Sequence, residues 1–230
     1  MKKLLALTLA LCMIFALCAC GKSSSAMSYA EYCAAAVDSE VEIECCVQDH
    51  QSWWDNKITV YAADKDGAYL LYNLTCSEED AAKLVPGTRI LVKGYKAEWA
   101  GEVEVAEGAT FEFVKGDSYV AQPVDLTDVF GTDKLTDYMN QYFTVKNAVL
   151  TSAPLYKWDG SGAAGDDLYF NVDIGGNEFN FTVESYLRGD GTEVYDTIEA
   201  LQPGATVNLT GFLYWYEGAN PHITEVEVVG

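Results

Sequence analysis

Histidine is nearly missing from this chain of 230 residues, which holds only His50 and His222. Imidazole-based metal binding and acid–base catalysis therefore have little to work with. Positive charge is also scarce, with 14 lysines and arginines against 35 aspartates and glutamates and a net charge of −21. Such a surface repels phosphate at every approach and argues against a protein that grips a nucleic-acid backbone. Gly-x-Ser-x-Gly, His-Glu-x-x-His and phosphate-loop patterns are absent, as is a Cys-x-x-Cys pair, so the reading is of a non-enzyme without metal or cofactor. Proline is limited to five residues, and no low-complexity tract follows the N-terminal region. What is abundant is apolar material: 50% of residues are hydrophobic and 13% aromatic, ample for a packed core.

The N-terminus reads as a targeting segment. Lys2 and Lys3 precede an apolar stretch over residues 4–17, interrupted only by Thr8 and shorter than the ~20 residues a membrane-spanning helix needs. It runs into Leu17-Cys18-Ala19-Cys20-Gly21, then Lys22 and three serines. This order resembles the lipobox of bacterial lipoproteins. The resemblance implies a signal peptide over residues 1–19, lipidation of Cys20, and a polar tether over residues 20–26. Two or more acyl chains on Cys20 would hold the protein at the extracytoplasmic face of the cell membrane.

Of seven cysteines, Cys33, Cys45, Cys46 and Cys76 remain beyond the segment around Cys20. An even number in an exported chain permits disulfides, and the pairing stays open. Cys45 and Cys46 are adjacent in a strand pattern, so their side chains point to opposite faces and at most one faces the core.

The same unit is written twice. Leu84-Val85-Pro86-Gly87-Thr88 matches Leu201-Gln202-Pro203-Gly204-Ala205; Gly94 matches Gly211, Trp99 matches Tyr216, and Gly101 matches Gly218, all at one offset. Upstream, Val41, Ile43 and Val47 alternate as Phe143, Val145 and Val149 do. Self-similarity on this scale argues for tandem domains, over residues 27–116 and 117–230. In each, a helical segment (28–37, with a Ser28…Glu31 capping pattern, and 135–142) leads into alternating strands rich in Val, Ile, Tyr and Phe. The strands span residues 41–47, 57–62, 68–74, 89–98 and 102–114 in the first unit. They span 143–150, 168–174, 178–183, 206–216 and 223–229 in the second. A short helix falls between the third and fourth strand of each. That order resembles the OB-fold, a small Greek-key barrel. The expected fold is all-β: two tandem five-stranded OB-like barrels, each with a short helix between strands three and four.

OB-folds place ligands across strands two and three, between the loops joining strands one to two and four to five. All five tryptophans fall in or beside those loops: Trp53, Trp54 and Trp99 in the first unit, Trp158 and Trp215 in the second. With Tyr156 and Tyr216 they are the candidate ligand contacts. Indole faces beside carboxylates and amides suit sugar rings or peptide side chains. The same aromatics could stack nucleobases, but the first unit carries 7 basic against 17 acidic residues and the second 4 against 18, which disfavours nucleic acid. The function expected is a non-catalytic binding module for a glycan, peptide or protein. A structural subunit of an envelope complex is the alternative, with nucleic-acid binding behind it. The stretch Asp159 to Asp167 is glycine-rich and lacks the spacing of a calcium loop. His50 and His222 read as loop residues.

Overall fold

The structure is a computed structural model, and residues 26–229 are described. The signal segment, Cys20 and most of the tether lie outside the described residues. Among those described, no helix is long and apolar enough to cross a membrane.

The first barrel opens with α1 (Tyr29–Ala34), where the Ser28 hydroxyl accepts from the Glu31 amide and the Glu31 carboxylate accepts from the Ser28 amide. This reciprocal cap fixes the first turn of a helix too short to persist alone. The strands follow as β1 (Glu40–His50), β2 (Lys57–Ala63), β3 (Ala68–Thr75), β4 (Arg89–Trp99), β5 (Glu102–Val105) and β6 (Thr110–Phe113), with α2 (Glu78–Ala81) between β3 and β4. β1 pairs with both β2 and β4, β3 runs parallel to β5, and β5 returns to β4, so the sheet closes on itself. The fifth strand expected over residues 102–114 is broken. β5 pairs with the end of β4 and β6 with its beginning.

The second barrel repeats this plan with β8 (Tyr142–Leu150), β10 (Leu168–Ile174), β11 (Asn177–Val183), α3 (Glu193–Ala200), β12 (Thr206–Phe212) and β13 (His222–Val229). Two-residue strands β7 (Val124–Asp125) and β9 (Leu155–Tyr156) sit on its margins. β11 runs parallel to β13, as β3 does to β5, and β8 closes the barrel against β10 and β12. Both units are therefore five-stranded OB-like barrels with a helix between strands three and four. The helix expected over residues 135–142 is a single 3-10 turn over Leu135–Tyr138, because Tyr142 is already paired in β8.

The internal repeat is visible as matched geometry. Gly87 donates its amide to Val47 O, and Gly204 donates to Leu150 O, each 2.8 Å. Both glycines sit at positive φ, 86° and 93°, which the Pro-Gly turn into the fourth strand requires. Val41 faces Gly94 as Phe143 faces Gly211. The expected match of Val47 with Val149 is one residue short: Leu150 takes the place of Val47. An extra residue is inserted in β8 near Asn147, which has φ 53° and donates its amide to Asn208 Oδ1.

Each barrel has its own core. Ile43, Val60, Leu71 and Val92 fill the first, and Phe143, Phe170, Phe181 and Leu209 the second, all essentially without solvent contact. Cys45 joins the first core, while Cys46 is buried on the opposite face near Asp117 O. Cys33, Cys45, Cys46 and Cys76 are free thiols. Residues 117–121 run along the first barrel: Asp117 O accepts from Arg89, Ser118 Oγ donates to Gly87 O, and the Gln48 side chain bonds Tyr119 O and the Ala121 amide.

Candidate functional site: an acidic aromatic cleft on the second barrel

The outward faces of strands two and three differ in the two barrels. In the first, the paired residues Tyr61 and Leu70 point out of the barrel and are covered by the second barrel. The Tyr61 ring stacks on Phe212 at 4.3 Å with 16° between planes, and its hydroxyl lies 2.6 Å from His222 Nδ1. Leu187 completes this apolar seam. Around it, Asp49 pairs with Arg188, Asn140 Nδ2 donates to Val103 O, and the Glu217 amide donates to Ala100 O. The Trp215 amide donates to Glu102 Oε2 at 2.9 Å. The face that would bind a ligand in the first barrel is thus spent on holding the two barrels together.

In the second barrel the corresponding face is open. β10 and β11 pair Tyr169 with Thr182, and the period-two alternation of β11 sends Asn180 and Thr182 outward while Phe181 and Val183 enter the core; Glu184, directly after the strand, also lines this face. The loop between β12 and β13 forms one wall with Tyr214, Tyr216 and Asn220, and Trp158 comes from the loop between β8 and β10. Together they enclose a cleft of about 950 Å³. That is the size of a small-molecule or single-residue pocket.

Its polar groups are specific. Asp167 Oδ1 accepts from the Ser185 amide and hydroxyl, at 2.8 and 2.6 Å. Asn220 Nδ2 donates to Asn180 Oδ1 and to Thr182 Oγ1, both at 3.1 Å. Glu184 is only 8% exposed; Oε1 accepts from the Tyr186 amide at 3.1 Å, while Oε2 has no hydrogen-bond partner. Burial pushes the Glu184 carboxyl up to about 7, the backbone amides of Tyr186 and Leu187 and the nearby Gln51 amide pull it down, and Asp167 adds to the rise. His222 is buried beneath the Tyr214 ring, stacked at 4.3 Å, and burial pushes it down to about 3, so it is neutral. Lysine and arginine are absent from the lining.

The sequence-based candidates divide. Trp158, 77% exposed, and Tyr216, 51% exposed, meet in the cleft. Trp53 packs on the first core and donates Nε1–H to Cys76 O at 2.8 Å. Tyr156 packs on the second core and donates its hydroxyl to Glu199. Trp215 lies in the seam, where a side chain added to Gly101 would meet its indole at 2.8 Å. Trp54 and Trp99 are exposed but away from the cleft. His222, expected in a loop, instead opens β13 and is 7% exposed, held by Tyr61 and Tyr214. Tyr169, Thr182, Glu184 and Asn220 were not among the sequence candidates, although the polar alternation of residues 180, 182 and 184 marks the outward face. In the loop leading to β10, Asp159 accepts from the Ser161 amide and Asp166 from the Ala163 amide, so both carboxylates shape turns.

These features define a protein of two OB-like barrels, with the outward face of strands two and three covered in the first and open in the second. No family model matches the chain, and no curated protein does. Three of the solved structures to which it is similar follow. One is the p204 HINb domain, with TM-score 0.38, 11% identity, and 84% of this chain and 98% of that one covered. A second is a murine DNA-binding protein bound with double-stranded DNA, at 0.39, 8%, 82% and 98%. The third is a replication protein A heterotrimer bound to single-stranded DNA, at 0.30, 11%, 81% and 49%. The likeness is one of fold, and their ligands are their own. Two of the three were solved with DNA bound, and on that finding the expectation of a glycan, peptide or protein ligand with nucleic acid disfavoured is corrected. The physical reason is that net charge speaks only to phosphate contacts. It leaves the stacking of bases on aromatic side chains untouched.

Proposed function

We propose that the protein is a non-catalytic module that binds single-stranded nucleic acid through its bases, in the cleft of the second barrel. The observation that carries this reading is the open face itself: Tyr169, Tyr214, Tyr216 and Trp158 offer ring faces on the strands and loops that OB-folds use, and no cation lines the cleft. Bases would enter and stack, while the phosphates stay on the solvent side. We further propose that Cys20 is lipidated, which places the module on the extracytoplasmic face of the cell membrane. Replacing Cys20 with alanine should then move the protein from the membrane to the soluble fraction and abolish fatty-acid labelling.

The test of binding is a fluorescence titration of the detergent-solubilised full chain with a mixed-sequence single strand and with an abasic strand of equal length. The normal strand should bind and the abasic strand should not. Added salt should hold or improve the affinity, because protein and ligand are both negative and screening weakens their repulsion. This is the reverse of ordinary counterion-release behaviour. Equal binding of the abasic strand, or a steep loss with salt, would mean that a phosphate grip operates and would overturn the reading.

A further inference from the structure

Resting on the base-binding reading above, we infer that the first barrel positions the aromatic wall of the cleft, so that strand binding by the second barrel depends on a clamp formed by the β4–β5 turn. That wall is the connection from β12 to β13, residues 213–221. It brings Tyr214 and Tyr216 to the cleft, while Trp215 between them lies against the first barrel. Within the connection, the Tyr216 amide donates to Gly218 O and the Asn220 amide to Tyr214 O. The first barrel supplies the rest, at every second residue. The Trp215 amide donates to Glu102 Oε2 at 2.9 Å, and the Glu217 amide to Ala100 O at 2.7 Å. Leu213 is tied through Asn140, whose amide donates to Leu213 O while its side chain donates to Val103 O of β5. Tyr214 is seated on His222, which is in turn held by the Tyr61 hydroxyl of β2.

The clamp is stiff because it is a tight hairpin. Trp99 pairs with Glu102 across it, and Ala100 and Gly101 have φ of 51° and 92°, the turn that suits the twist of paired strands. Gly101 is pressed against the wall: a Cβ there would meet Trp215 Cδ1 at 2.8 Å and Nε1 at 3.0 Å. In the internal repeat Gly101 matches Gly218, so clamp and wall are the same connection of the repeated unit, short in the first barrel and long in the second. A long connection left free would have to be ordered each time a base stacks on it. Apparent affinity then falls by the fraction of molecules that have the wall in place. Glu102 and Gly101 are in this sense positioning residues for a cleft they do not line.

The experiment measures binding of a mixed-sequence single strand to the detergent-solubilised full chain, with amide hydrogen exchange read over residues 213–221. The native protein is compared with Glu102→Leu, Glu102→Gln, Gly101→Ala and Gly108→Ala. Glu102→Leu removes the acceptor for the Trp215 amide; it should bind about tenfold more weakly and exchange faster over the connection. Glu102→Gln keeps an acceptor and should retain the binding that the leucine variant loses. Gly101→Ala drives a methyl group into the Trp215 indole and should act as Glu102→Leu does, which keeps the test open should that variant fail to fold. Gly108, with φ 88° and open space around it, is the control. Gly108→Ala puts similar backbone strain into the first barrel without touching the connection, and should leave binding and exchange unchanged. Native-like binding by both Glu102→Leu and Gly101→Ala, or an equal loss from Gly108→Ala, overturns this inference and leaves base binding standing. Failure of the native protein to bind the strand overturns base binding itself, and the role of the clamp with it.

Discussion

Trp53 and Trp54 are neighbours in one loop, yet the structure gives them opposite roles. Trp53 lies against the first core with its indole N–H satisfied by Cys76 O, whereas Trp54 is 68% exposed. Removing the first leaves a cavity and an unpaired carbonyl; removing the second leaves water where water already was. Trp53→Ala should cost about 2–4 kcal/mol of stability. Trp54→Ala should fall within about 0.5 kcal/mol. Thermal unfolding monitored by circular dichroism separates the two, and equal effects would mean that the loop is packed differently. Trp158 answers to a different measurement. At 77% exposure it contributes little to folding, but losing its face in the cleft should cost about 1–3 kcal/mol of strand binding. Tryptophan in a loop pattern thus carries no role by itself. The role is set by which groups the strand ends on either side bring within reach of the ring.

Glycine 211 shows how a strand closes its barrel. A Cβ there would stand 2.1 Å from His222 O and 2.8 Å from Ile223 Cα, both backbone atoms of β13 that cannot step aside. The β12–β13 register shifts at the same point, between Thr210 and Gly211. Gly211→Ala should therefore force the two strands apart and lower the melting temperature of the second barrel by several degrees, with amide exchange in β13 accelerating before that in β3. Unchanged exchange in β13 would count against this account. Gly94 is its counterpart, where a Cβ would meet the side chains of Ala109 and Val105 at 2.6 and 2.9 Å. This is why the pairing of Gly94 with Gly211 was readable in the sequence: close approach of two strands admits only one residue type, so it leaves a mark. Strand periods and the Pro-Gly turns left marks of the same kind. The inserted residue at Asn147 did not, since a one-residue bulge barely disturbs an alternating pattern. The cleft was half legible. Trp158 and Tyr216 stood out by residue type, but Glu184 was one of 35 acidic residues, and nothing short of the fold distinguishes the few that are buried. Nor could the sequence tell that Tyr61 and Leu70 turn the first barrel's ligand face into a seam, because the partner surface lies some 140 residues further along the chain.

At the scale of the whole molecule the two barrels meet over a seam that also carries buried carboxyl groups, and this gives the protein a dependence on pH. Glu102 has no solvent exposure; Oε2 accepts from the Trp215 amide, and Oε1 has no partner. Burial pushes its carboxyl up from 4.5 to about 8, with Asn140 and the Trp215 amide pulling it down and Glu104 pushing it further up. Glu104, 8% exposed two residues along β5, is raised to about 7 by burial. In both, the folded protein holds a proton that the unfolded chain releases near 4.5. Between those values the folded state binds more protons, so stability must fall as pH rises. The stabilisation is complete below about pH 4.5 and is lost as pH passes through 7 and then 8. The surface ion pair of Asp125 with Lys146 works in the opposite sense, but its carboxyl sits at about 2, so it matters only in strong acid. His222, held at about 3 by burial against 6.5 when free, works in the opposite sense up to about pH 6.5 and offsets part of the fall there, so the melting temperature should decline most clearly between pH 6.5 and pH 8.5. Glu102→Gln replaces a buried titrating group with a neutral one of the same shape, still able to accept from Trp215. It should raise the melting temperature at pH 8.5 and flatten the decline. A variant that melts below the native protein at pH 8.5 would show that Glu102 is ionised and compensated in the seam. In that case the barrels would be held together by its charge, whereas the burial seen here has them held together in spite of it.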